Sequence, residues 1–126
     1  MDLKRLLLFE ANAVFRESLA LVLERSMGLC SIHVDSVAEA SRALADPHGK
    51  VDLAILDVDL MPNGDAIGVI EELRKADPDV PMLVLTNSRN LEGRARALRA
   101  AGVDELVCLR ALLEELVGAV RRLMGG

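Results

Sequence analysis

At 126 residues the chain has the length of one domain, and with 52% hydrophobic residues it can bury a core without disulfides. Its 20 acidic residues against 15 basic ones give a formal net charge of −5, which argues against non-specific nucleic-acid binding; without Trp or Tyr it has no aromatic platform for stacking single strands. No apolar run approaches the roughly 18 residues needed to cross a bilayer, and Leu6-Leu7-Leu8-Phe9 is too short for a signal-peptide core, so the cytoplasm is the expected compartment.

Leu3 to Phe9 reads as a first strand, buried over Leu6 to Phe9, and Glu10-Ala11-Asn12 breaks it at its C-terminal tip. Val14, Phe15, Leu19, Val22 and Leu23 recur at helical spacing, which predicts a helix ending near Met27 with Gly28 as its cap. Leu29 to Asp35 alternates in the manner of an edge strand. Ser36-Val37-Ala38-Glu39 is a capping-box pattern opening a short helix to about Ala45, and Asp46 to Lys50 is a turn cluster. Val51 to Asp57 is a strand whose apolar run, Leu53 to Leu56, has no polar alternation, as a strand covered on both faces requires. It stops at a carboxylate and is followed by Asp59 and the turn-rich Met61-Pro62-Asn63-Gly64-Asp65. Asp65 caps a helix over about Ala66 to Ala76, Val80 to Thr86 is a further apolar strand ending at a hydroxyl, and Asn87 to Asn90 is a loop. Leu91 to Ala101 is an Arg- and Ala-rich helix closed by Gly102, Leu106 to Leu109 a last strand, and Ala111 to Met124 a last amphipathic helix.

Five strand–helix repeats predict an α/β fold: a doubly wound, five-stranded parallel sheet of order 2-1-3-4-5 with helices on both faces. That order puts the tips carrying Glu10 and Asp57 side by side, Thr86 next, and Cys30 and Cys108 on opposite edges, where they cannot bridge. Both thiols are expected to be buried, and His33 and His48 to lie at the surface.

Val14-Phe15-Arg16-Glu17-Ser18-Leu19, Leu53 to Leu60 with Pro62 and Gly64 nearby, Met82 to Thr86 and Ala100-Ala101-Gly102-Val103-Asp104, in this order and spacing, resemble the receiver domain of two-component response regulators, the CheY-like superfamily. The resemblance covers residues 1–126 and implies a signalling module rather than an enzyme. It implies that Asp57 accepts a phosphoryl group from a histidine kinase and that Thr86 contacts it. It also implies that Glu10, Asp57 and the backbone carbonyl of Asp59 hold Mg²⁺. A carboxylate is a weak nucleophile, and a divalent cation screens the incoming phosphoryl charge.

Four departures bear on that chemistry. The second acid expected after Glu10 is Ala11, so Mg²⁺ binding should be weak. The basic residue after the last strand falls on Leu109, with Arg110 beside it on the other face of a strand, and the aromatic switch position falls on Leu106. Pro62 lies five residues after Asp57, where four is usual. The expectation is an atypical receiver that also signals by protein contact independent of phosphorylation. The family's output face, built from the fourth helix, fifth strand and fifth helix, would here carry Arg94, Arg96, Arg99, Arg121 and Arg122. It could serve a homodimer or an effector domain, with neither nucleic acid nor membrane bound by this domain directly. The alternative is a small phosphatase of haloacid-dehalogenase type using Asp57 as nucleophile and Asp59 as acid/base, which would need a downstream Lys and a further acidic pair at another strand tip; the only Lys after Asp57, Lys75, lies in a helix.

Overall fold

The computed structural model describes residues 4–10, 13–57, 65–86, 91–108 and 113–125, the side chains of 91–93 and 113 aside. Strands and helices alternate as β1 (Lys4–Phe9), α1 (Ala13–Met27), β2 (Leu29–Val34), α2 (Val37–Ala45), β3 (Leu53–Asp57), α3 (Ala66–Ala76), β4 (Met82–Thr86), α4 (Leu91–Ala101), β5 (Glu105–Cys108) and α5 (Leu113–Leu123). The five strands form one sheet in the order β2-β1-β3-β4-β5, every pair parallel.

The strands without polar alternation take the centre: every residue of β3 and of β4 is buried, as a strand covered by helices on both faces must be. Successive side chains point to opposite faces, and two apolar clusters follow. Leu7, Phe9, Ala54, Leu56, Met82 and Val84 pack with α2, α3 and α4. Leu6, Leu8, Leu53, Ile55, Leu83 and Leu85 pack with α1 and α5.

The helix ends obey local chemistry. Ser36 accepts from the Glu39 N–H (3.1 Å) and Asp65 from the Gly68 N–H (3.0 Å), each satisfying a donor the helix leaves open. Gly28, at φ 66°, closes α1 with a bond from its N–H to the Glu24 carbonyl. Gly102, at φ 120°, closes α4: its N–H reaches Arg99 O and the Val103 N–H reaches Leu98 O, both at 3.1 Å, the two-bond Schellman pattern. A Cβ on Gly102 would meet Arg74 Nε at 3.0 Å as well as straining the backbone. We expect Gly102→Ala to lower the unfolding free energy by about 1–2 kcal/mol, measured by urea titration; an unchanged midpoint would show that the turn relaxes freely.

The N-terminal end of the sheet is closed twice by the same device. Asp52 N–H donates to Arg5 O while Asp52 Oδ2 accepts from Arg5 N–H, both at 2.8 Å. Asp104 N–H donates to Met82 O (3.0 Å) while its Oδ2 accepts from Met82 N–H (2.8 Å). Arg74, at the end of α3, adds a third closure. Its guanidinium donates to the carbonyls of Val80 (2.6 Å), Pro78 (3.1 Å) and Gly102 and pairs with Asp104 at 3.4 Å, tying the turn before β4 to the turn before β5.

Several boundaries and burials differ from the sequence reading. β3 begins at Leu53 rather than Val51 because Asp52 bends to make its reciprocal bonds. β4 begins at Met82 because Pro81 has no N–H for a ladder, and β5 begins one residue earlier, at Glu105. Cys30 is exposed and Cys108 half-buried, against the expectation of two buried thiols: they lie on β2 and β5, the opposite edge strands, each with a neighbour on one side only. His33 and His48 are exposed, as expected. In α1 the buried stripe is Leu19, Ala20 and Leu23, while Val14 is 76% exposed and Phe15 37%, so the apolar start of that helix does not face the sheet.

Candidate functional site

Among the described residues, the buried polar or charged side chains are Glu10, Asp57 and Thr86, all less than 5% exposed. All three stand at the C-terminal tips of the central strands. Phe9 pairs with Leu56, so Glu10 and Asp57 each follow by one residue and lie level on strands about 4.8 Å apart. Asp57 in turn pairs with Leu85, and Thr86 is the next residue on β4. In a doubly wound sheet this is the crevice at the switch point, since α1 after β1 and α3 after β3 pack on opposite faces of the sheet.

Side-chain alternation sorts the three residues between the faces. Leu53 and Ile55 belong to the α1/α5 cluster, as do Leu6 and Leu8, so Asp57 and Glu10 carry the parity of that face. Met82 and Val84 belong to the opposite cluster, and Thr86 shares their parity, as does half-buried Leu106. The two carboxylates thus stand together on one side of the crevice and the hydroxyl flanks them from the other.

One neighbour of this group was not singled out from the sequence. Arg16, in the first turns of α1, donates from Nη1 to the Glu10 backbone carbonyl at 3.0 Å. It continues the buried stripe of Leu19, Ala20 and Leu23 by one helical turn toward the crevice. The signal available in sequence was its spacing, three and four residues before Leu19 and Ala20.

The donor set is of hard oxygens: two buried carboxylates at neighbouring tips, the kind of partial set with which Mg²⁺ is held through one or two carboxylates plus water. No group of three or more His, Cys, Asp or Glu side chains capable of holding a metal occurs among the described residues. Ala11, Asp59, Leu109 and Arg110, and the loop residues Met61, Pro62, Gly64 and Asn87 to Asn90, lie outside the described residues. A separate cleft of about 200 Å³ opens at the other end of the sheet, between Lys4, Lys50, Asp52, Asp77 and Met124. Asp52 and Asp77 there are committed to backbone N–H groups.

The family model described as the response regulator receiver domain matches residues 6–121. The chain belongs to the response regulator receiver domain family. Its relatives include the transcriptional regulatory protein PrrA of Mycobacterium bovis, 32% identical over 81% of this chain and 43% of PrrA. They also include the response regulator MprA of Mycobacterium sp. (strain KMS), 31% identical over 95% of this chain and 50% of MprA. The chain thus spans about half the length of the curated relatives it matches. Among solved structures, the receiver domain of the sensor histidine kinase PA1611 of Pseudomonas aeruginosa superposes with a TM-score of 0.78 at 23% identity, covering 99% of this chain and all of that one. That neighbour was solved with a magnesium ion coordinated in its active-site cleft.

The receiver is therefore a module of two-component signal transduction. The alternative reading as a haloacid-dehalogenase-type phosphatase has no support in these relationships. No helix among the described residues is long and apolar enough to cross a membrane.

Proposed function

We propose that Asp57 is the phosphoryl acceptor of this receiver, that Glu10, Asp57 and the backbone carbonyl of Asp59 hold Mg²⁺ weakly, and that Thr86 contacts the transferred group. The observation carrying this reading is that the buried polar side chains of the described structure are the three at adjoining strand tips that the family resemblance singles out. Burying two carboxylates and a hydroxyl together at one cleft is costly, and such a concentration marks a candidate functional site.

In the transfer, an Oδ of Asp57 attacks the phosphorus of a phosphohistidine or small phosphodonor, the bond to the leaving group breaks, and an acyl phosphate forms. Mg²⁺, when bound, screens charge between the carboxylates and the phosphoryl oxygens. Glu10 would contribute a carboxylate to that cation, with a side chain one methylene longer than that of Asp. Thr86 donates its hydroxyl to a phosphoryl oxygen from the opposite side of the crevice. Half-buried Leu106 shares its parity, so reorientation of Thr86 meets an aliphatic side chain rather than a ring with a hydroxyl. Output then rests more on protein contact than on an aromatic switch.

A histidine kinase is the proposed donor partner, and the face of α4, β5 and α5 the proposed contact surface, for a second copy or an effector domain. Arg96, Arg99, Arg121 and Arg122 are exposed there and Arg94 is half-buried, with Arg122 within 3.6 Å of Glu105. Residues 1–126 are read as one receiver domain working in the cytoplasm, without direct contact with nucleic acid or membrane.

The test is a Mg²⁺ titration with beryllofluoride, followed by amide shifts. The wild-type protein should respond at Asp57 only at high millimolar Mg²⁺, and Ala11→Asp combined with Leu109→Lys should respond at roughly tenfold lower Mg²⁺, one charge-assisted contact being worth about 1.5–3 kcal/mol. If the double variant gains nothing, the pocket is misplaced. Stoichiometric modification of the wild type at sub-millimolar Mg²⁺ would instead make it an ordinary receiver.

A further inference from the structure

We infer that Arg16 is a built-in counter-cation of the acceptor pocket, one that neutralises part of its negative charge and thereby lowers its affinity for a divalent cation. The inference rests on the reading of the Glu10 and Asp57 tips as that pocket. Its warrant is the position of one side chain whose presence there local helix chemistry does not favour.

α1 has no acidic residue in its first turn. The start of a helix carries a partial positive charge, so a cation there is disfavoured. Arg16 nonetheless sits in the opening turns and turns inward, donating to the Glu10 carbonyl at 3.0 Å. Its Nε is buried and has no hydrogen-bond partner among the described residues. A buried guanidinium donor is costly to leave unmade, and on this inference attraction to the negative charge of the pocket offsets that cost. α1 covers the sheet face whose parity Glu10 and Asp57 share. The guanidinium and both carboxylates thus occupy the same side of the crevice, where exclusion of water leaves their interactions little screened.

Two carboxylates, one guanidinium and the start of α1 leave the pocket with little net negative charge, before the absence of an acid at Ala11 is counted. Mg²⁺ must therefore enter against a fixed positive charge. Ala11 removes a ligand; Arg16 adds repulsion. Both act in the same direction, and they are separable by mutation.

The experiment measures the Mg²⁺ dissociation constant from the amide shifts of Glu10 and Asp57 in the wild type, Arg16→Gln, Arg16→Lys and Ala11→Asp. Repulsion between a unit charge and a divalent cation several ångströms apart exceeds a tenfold effect even at an effective dielectric near 20, so removal of the guanidinium should tighten Mg²⁺ by at least about tenfold, while Arg16→Lys should stay close to the wild type. A purely structural Arg16 predicts the opposite sign, since a loosened pocket binds metal less well. Unchanged or weaker binding in Arg16→Gln, with Ala11→Asp still gaining affinity, overturns the inference and leaves the acceptor reading standing. No gain in either variant removes the acceptor reading and the inference with it. If Arg16→Gln fails to fold, the wild type carries the test: the Arg16 Nε–H resonance should move as Mg²⁺ is added, and a resonance indifferent to saturating Mg²⁺ rejects the role.

Discussion

Replacing Arg74 by methionine is expected to lower the unfolding free energy by about 3 kcal/mol and the melting temperature by roughly 10 °C. The side chain is only 20% exposed, and its guanidinium serves the carbonyls of Val80, Pro78 and Gly102 together with the Asp104 carboxylate. Methionine fills the stem's volume but donates nothing. The Val80 and Gly102 carbonyls would then be left without their donor in partly buried surroundings, at about 1–3 kcal/mol each. Arg74→Lys should recover little, because an ammonium on a flexible stem cannot span two turns with fixed geometry. Urea titrations of the three proteins decide the matter. A loss below about 1 kcal/mol for Arg74→Met would mean that water replaces the clamp without penalty.

Asp57→Asn is expected to have two effects of opposite character. The response to beryllofluoride or acetyl phosphate should vanish, because an amide oxygen is no nucleophile toward phosphorus and offers no anionic oxygen to a cation. The metal-free protein should at the same time become more stable, by about 1 kcal/mol at neutral pH, as one of two carboxylates on adjoining buried tips loses its charge. Intact mass after acetyl phosphate treatment reads the first effect and thermal unfolding the second. Persistent modification would assign the acceptor elsewhere. A drop in stability would show that Asp57 is held by favourable bonds that outweigh repulsion from Glu10.

The sheet order and the meeting of Glu10, Asp57 and Thr86 were legible in the sequence, because both follow from strong signals. Leu53 to Leu56 and Met82 to Leu85 are apolar without alternation, and each run stops at a polar residue. Once right-handed crossovers fix the order, the tips fall side by side. What was not legible depends on contacts between distant residues. Val51 and Asp52 read as strand, but Asp52 exchanges bonds with Arg5, 47 positions away. Cys30 has the apolar company of a buried thiol, yet its strand is the outermost. Val14 and Phe15 match the helical period of α1, while the buried stripe of that helix passes through Arg16 instead. Periodicity identifies an amphipathic helix; it does not say which residue at its end turns inward.

The three closures at the N-terminal end of the sheet, Asp52 with Arg5, Asp104 with Met82 and Arg74 across two turns, lie as far as the strands allow from the carboxylates. Cohesion and chemistry are thus assigned to opposite poles of one molecule. The three closures involve none of Glu10, Asp57 and Thr86, so a change of side chain there leaves these closures in place. The crevice can lose a ligand, exchange a cation for a leucine or acquire a guanidinium and still be presented on an intact scaffold. Such a fold is free to drift from a switch operated by phosphoryl transfer toward one operated by contact, and on the proposed reading Ala11, Leu106 and Leu109 are the substitutions that would carry this chain in that direction.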